Sequence, residues 1–120
     1  MDINPHWEYV ADQVMGGVSE GRLCKEMFRG RMASVLRGEV SLANNGGFIQ
    51  MASDPRSNGA GFDASAWDGL ELDVCGNGER YDIRLRTDQL TRPWQSFRTE
   101  ILTMHEWNTL RIGFDTFMAH

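Results

Sequence analysis

The sequence predicts an all-β sandwich or barrel, and three observations carry that prediction. Apolar residues alternate with charged ones over short runs. Turn residues separate those runs at intervals of about ten, and glycine alone fills 13 of the 120 positions. Helical periodicity is missing: the best candidate, Cys24 to Val35, is cut by Gly30 and has no clean apolar stripe.

The first element to place is the stretch DQVMGGVSEG, Asp12 to Gly21. Its paired glycines raise the question of a phosphate-binding loop. A Walker loop needs GxxxxGK[ST] and a dinucleotide loop needs GxGxxG ahead of a helix; neither pattern occurs. No helix N-terminus follows to supply anion-binding N–H groups. Gly16 and Gly17 therefore read as a bulge or tight turn, with Asp12 and Ser19 capping it through local hydrogen bonds. Val14 and Met15 enter the core, and Val18 restarts the strand.

Val40-Ser41-Leu42 then leads into the turn Asn44-Asn45-Gly46-Gly47, and Phe48-Ile49-Gln50-Met51 leaves it. Ala52 to Trp67 is polar and Gly-rich and reads as one long loop. Next, Gly69-Leu70-Glu71-Leu72-Asp73-Val74-Cys75 and Tyr81-Asp82-Ile83-Arg84-Leu85-Arg86 both alternate around Gly76-Asn77-Gly78. They predict a hairpin pairing Val74 with Tyr81, Leu72 with Ile83 and Leu70 with Leu85, which sets Glu71 opposite Arg84. Phe97-Arg98-Thr99-Glu100-Ile101 and Leu110-Arg111-Ile112-Gly113-Phe114 complete the strands. Trp7, Trp67 and Trp107 stand at strand starts as core anchors.

At 120 residues the chain is expected to be one domain, residues 1–120, able to fold without metal or disulfide. The net charge is −5, there is a single lysine, Lys25, and the eleven arginines are scattered among acids, which argues against a nucleic-acid partner. No run of 18 apolar residues is present, so no membrane insertion is expected, and the acidic start lacks the marks of a leader. A cytoplasmic protein with two free thiols, Cys24 and Cys75, is the expectation.

Catalytic chemistry finds little footing. Ser19, Ser41 and Ser96 lack a nucleophile-elbow frame, and His6, His105 and His120 lack ligand spacing. The oxygen-bearing residues from Ser53-Asp54 to Asp63 follow no recognisable calcium-loop pattern. No enzyme activity, metal or cofactor is expected. The candidate ligand face is the outer side of the predicted hairpin: Arg84 and Arg86 with Glu71 and Asp73, joined by Trp94 as a stacking platform. The same charges also read as a solvated salt-bridge ladder, and Trp94 as a rim residue packing on the sheets.

Several stretches together resemble the CIA30 family, the domain of the complex I intermediate-associated protein 30 kDa. They are Trp7, Asp12-Gln13-Val14-Met15-Gly16-Gly17-Val18-Ser19, Gly38 to Phe48 with its N-N-G-G-F end, Trp67-Asp68-Gly69-Leu70, and Gly76 to Tyr81. Arg84-Leu85-Arg86-Thr87, Trp107 and Phe114-Asp115-Thr116-Phe117 continue the series. The resemblance implies a jelly-roll β-sandwich similar to galactose-binding domains. It also implies a non-enzymatic binding module with an assembly-factor or chaperone-like role, acting on a protein partner; a carbohydrate-binding module on the same scaffold is the alternative. The family domain runs on for several strands beyond the F-D-T-F piece, so the expectation is a fold lacking its last strands. An open sheet edge then predicts a homodimer that covers it.

Overall fold

The structure is a computed structural model that describes residues 5–12, 16–41, 47–53, 62–87 and 96–119. Among these residues the chain is all-β: nine strands form, and the other regular element is a 3-10 turn at Phe114–Thr116. The chain falls into two units, Met1–Asp63 and Ala64–His120.

In the first unit, β1 (Glu8–Ala11) pairs antiparallel with β4 (Ile49–Ala52), setting Ala11 opposite Ile49 and Tyr9 opposite Met51. Phe48 was expected to leave the Asn-Gly turn as a returning strand; the strand instead begins at Ile49, and its partner is β1. Leu42 to Gly46, with Asn44 and Asn45, lie outside the described residues. Between these strands runs a hairpin of β2 (Glu20–Phe28) and β3 (Arg31–Glu39), paired from Glu20↔Glu39 to Phe28↔Arg31. Here a segment with too little stripe for a helix finds its order in cross-strand pairs. Arg29 and Gly30 make the two-residue turn with φ of 47° and 84°, the left-handed pair that matches strand twist in tight hairpins. At the base, Gly21 and Gly38 face each other, and a Cβ on Gly38 would lie 2.9 Å from the Ile49 side chain. The missing side chains let the hairpin base close onto β1 and β4.

In the second unit, β5 (Gly69–Val74) pairs with β8 (Asn108–Gly113), setting Leu70 opposite Ile112 and Leu72 opposite Leu110. A separate sheet orders β6 (Arg80–Leu85), β7 (Phe97–Leu102) and β9 (Met118–Ala119) with β7 in the middle. Among the described residues, Ile101 of β7 is the buried apolar residue of this unit, as Ala11 is of the first.

The predicted β5–β6 hairpin is therefore corrected. Alternation placed Leu70, Leu72 and Val74 on one face, and they are half-buried while Glu71 and Asp73 are exposed, but alternation does not name a partner. Ile112 and Leu110 meet those leucines instead of Leu85 and Ile83. The Gly76-Asn77-Gly78 segment does not close a hairpin because its backbone is held elsewhere. Gly76 N–H donates to the Met104 carbonyl at 2.7 Å, and Thr103 donates to the Glu79 carbonyl from both N–H and hydroxyl, at 3.0 and 2.8 Å. A second correction concerns Trp67, which is 41 % exposed and anchors no core. Trp7 and Trp107 are half-buried. Val18 is exposed and precedes β2 by two residues, so the strand restarts at Glu20.

These pairings are directly measurable. Cross-strand nuclear Overhauser contacts will join Leu72 to Leu110, and none will join Leu72 to Ile83.

Candidate functional site

A dense polar cluster among the described residues of the first unit begins where β1 ends. Asp12 follows Ala11, and both its side chain and that of Ser19 are fully buried. A buried carboxylate must be matched by donors. Asp12 Oδ1 accepts the Ser19 N–H at 3.0 Å, and Oδ2 accepts the Ser19 hydroxyl at 2.5 Å, the Gly47 N–H at 2.6 Å and the Phe48 N–H at 3.3 Å. The Ser19 hydroxyl in turn accepts the Ser41 N–H at 2.7 Å. Main chain completes the junction: Asp12 N–H donates to the Phe48 carbonyl at 3.1 Å, and Gly17 N–H to the Asp12 carbonyl at 2.8 Å. One carboxylate thus ties the end of β1, the segment entering β2, the exit of β3 and the entry of β4.

Gly17 is required by this geometry. A Cβ there would sit 2.5 Å from Asp12 Cγ, closer than any such contact allows. Gly16 adopts φ of 82°, open to glycine at no steric cost. Val14 and Met15 lie outside the described residues.

Burial alone pushes the Asp12 carboxyl up. The hydrogen bonds from the Ser19 hydroxyl, the Gly47 N–H, the Ser19 N–H and the Phe48 N–H outweigh it and hold the group below its ordinary 3.8. An acid ionised this firmly has no proton to give near neutrality, and every oxygen is occupied. The arrangement fastens backbone; it does not offer a general acid or a free ligand.

The residues proposed for a ligand face separate into two sheets. Glu71 and Asp73 lie on β5, where Glu71 pairs with Arg111 at 3.0 Å and Asp73 accepts the Thr109 hydroxyl at 2.5 Å. Arg84 lies on β6, opposite Arg98 of β7 rather than Glu71. Asp82 sits between the two guanidinium groups, 3.3 Å from Arg84 and 3.1 Å from Arg98. Arg84 Nη1 also donates to the buried Ser96 hydroxyl at 3.5 Å, and Arg80 pairs with Glu100 at 3.3 Å. Arg86 follows β6 and is exposed; Trp94 lies outside the described residues. Exposed pairs of this kind contribute about 0–1 kcal/mol each. Among the described residues no three His, Cys, Asp or Glu side chains gather as metal ligands.

The sequence reading treated the Asp12 and Asn44–Gly47 stretches as separate turns and missed that Gly47, Phe48 and Ser41 converge on Asp12. The available signal was that each stretch held polar and glycine residues in excess of what one turn needs.

The family model of Complex I intermediate-associated protein 30 (CIA30) matches residues 2–120. The chain belongs to the CIA30 family. No curated protein and no solved structure matches it. Two of the stretches that carry the CIA30 resemblance, D-x-V-M-G-G-x-S and N-N-G-G-F, supply the Asp12 junction with its carboxylate, its serine, its close-approach glycine and two of its N–H donors. In this CIA30 chain, then, those residues serve to hold strands in place.

Two outcomes test the junction. Ser19→Ala leaves the Ser41 N–H without its acceptor and will destabilise the protein by about 1–3 kcal/mol in urea titrations. The pH dependence has a fixed sign. The folded-state value of Asp12 lies below the unfolded 3.8, so its contribution is complete above 3.8 and is lost as the pH falls through the folded-state value. Melting temperatures will show no loss from this group between pH 7 and 5 and will fall under stronger acid; in Asp12→Asn that acid-dependent component will be absent.

Proposed function

We propose that this chain is a non-enzymatic binding module of the cytoplasm, one domain spanning residues 1–120, that binds a protein partner during assembly of a complex I-type respiratory enzyme. The observation that carries the reading is the CIA30 match over residues 2–120. The chemistry of the junction supports the non-enzymatic part. The described carboxylate that is fully buried, Asp12, has its oxygens committed to chain contacts.

The contact face on the second unit is the cationic side of β6 and β7. Arg84 and Arg98 face each other across the register, with Arg80 and Arg86 on the same alternating positions of the β6 segment. Two acids, Asp82 and Glu100, share this face. Guanidinium groups prepositioned by such pairs suit carboxylates of a partner. Glu71 and Asp73 form a second polar face on β5. A sugar platform draws less support: the exposed ring of Tyr81 has its hydroxyl engaged by Asn77 Oδ1 at 2.7 Å.

The deciding experiment is affinity isolation of the tagged chain from its own cells, with crosslinking and mass spectrometry. Enrichment of complex I subunits or intermediates is expected, reduced at least fivefold by Arg84→Glu combined with Arg86→Glu. Recovery of the chain without any complex I subunit contradicts the reading.

A further inference from the structure

The β2–β3 hairpin carries a charge balance opposite to that of the chain. Its base is closed by Glu20 facing Glu39. Beyond that pair, Gly21 to Gly38 holds five cations, Arg22, Lys25, Arg29, Arg31 and Arg37, against one acid, Glu26. The segment is +4 in a chain of −5, which leaves −9 for everything else. A strand pair this asymmetric is more than a solvated edge, where both signs normally mix.

Near its tip, one face is also apolar. Met27 and Met32 face each other in the register and are 61 % and 58 % exposed. Lys25 shares their face, one pair nearer the base. The opposite face bears Arg22, Arg37 and Arg31 with Phe28, over whose ring the Arg29 and Arg37 guanidinium groups both stand at 5.7 Å. Glu26 lies on that face too, in an ion pair with Arg37. Arg29 occupies the turn.

We propose that the distal β2–β3 hairpin is a docking finger that enters a protein cleft with acidic walls, one of which also carries an apolar patch facing Met27 and Met32. The proposal rests on the protein-partner reading above and names the element that makes the contact. Cations stand on both faces of the ribbon, so a single plane meets only one of them. A bilayer approached end-on meets the Arg29 turn before it meets the methionines. A nucleic-acid groove supplies phosphates but no apolar surface for Met27 and Met32. A two-walled cleft pairs both cationic faces and receives the methionines, whose flexible thioethers fit irregular apolar surfaces.

The test uses the full chain and four probes at near-physiological salt: a peptide alternating leucine with glutamate, polyglutamate of equal charge, vesicles containing phosphatidylserine, and duplex DNA. The leucine–glutamate peptide is expected to shift the amide resonances of Lys25 to Ser34. It will bind at least tenfold more tightly than polyglutamate. Met27→Ser with Met32→Ser, and separately Lys25→Glu with Arg31→Glu, will each weaken it at least tenfold. Because Lys25 is the chain's one lysine, carbodiimide coupling to the peptide's carboxylates will mark that residue among the side chains. Equal binding of polyglutamate, preferential binding of vesicles or DNA, or no response to any probe overturns the proposal. The comparison among probes decides even where a variant fails to fold. No cellular partner enters this assay, so its failure is distinct from a failure to recover complex I subunits.

Discussion

A carboxylate cannot leave water unless something replaces the water, and the first unit of this chain is arranged around that constraint. Asp12 is fully enclosed, and its replacements are three backbone N–H groups and one hydroxyl. These donors come from positions 19, 47 and 48, so the solvation of one side chain fixes how distant stretches of chain meet. Strand pairing follows from it. The Asp12–Phe48 backbone contact extends the ladder that pairs Ala11 with Ile49, and the Ser19–Ser41 contact closes the region just below the Glu20–Glu39 pair. Among the described residues of this unit few large apolar side chains are buried, so this polar fastening takes over some of what a larger core does elsewhere.

The same constraint separates structure from function along the sequence. Among the residues most suggestive of chemistry, Asp12, Gly17, Ser19 and Gly47 are occupied with one another. Among the described residues, exposed charge is arranged on strand faces: the guanidinium groups of β6 and β7, and the cationic hairpin of β2 and β3 with its exposed methionines. Neither depends on a cleft or an ionisable group of unusual acidity. The proposal of a protein partner rests on these faces, since exposed anchors and charge complementarity set partner and register in protein recognition.

Much of the strand content was legible in the sequence, because alternation of Leu70-Glu71-Leu72-Asp73 follows from one half-buried and one wet face. Partner choice was not legible. Leu72 meets Leu110 rather than Ile83, and both are apolar residues in alternating strands; only the distant Thr103–Glu79 and Gly76–Met104 contacts, which take the Gly76 to Glu79 segment out of a tight turn, decide between them. The Asp12 stretch was recognised as a structural turn, but its reach to Ser41, Gly47 and Phe48 is long-range and leaves no periodic trace. The cationic hairpin was hidden for a different reason. A charge averaged over the chain reads as acidic, and the segment reads as a failed helix until pairing brings Met27 to Met32 and Arg22 to Arg37.

Ionised Asp12 is expected to hold these segments together as one cooperative piece. Amide hydrogen exchange of Ser19, Ser41, Gly47 and Phe48 in the native protein and in Asp12→Asn tests it most directly, because the amide side chain keeps the shape and replaces an acceptor with a donor. In the native protein the four amides are predicted to exchange slowly and at matching rates. In Asp12→Asn they are predicted to lose protection together, along with the amides that pair β1 to β4. An Asp12→Asn protein that keeps all four protected, or loses them one at a time, would contradict the account.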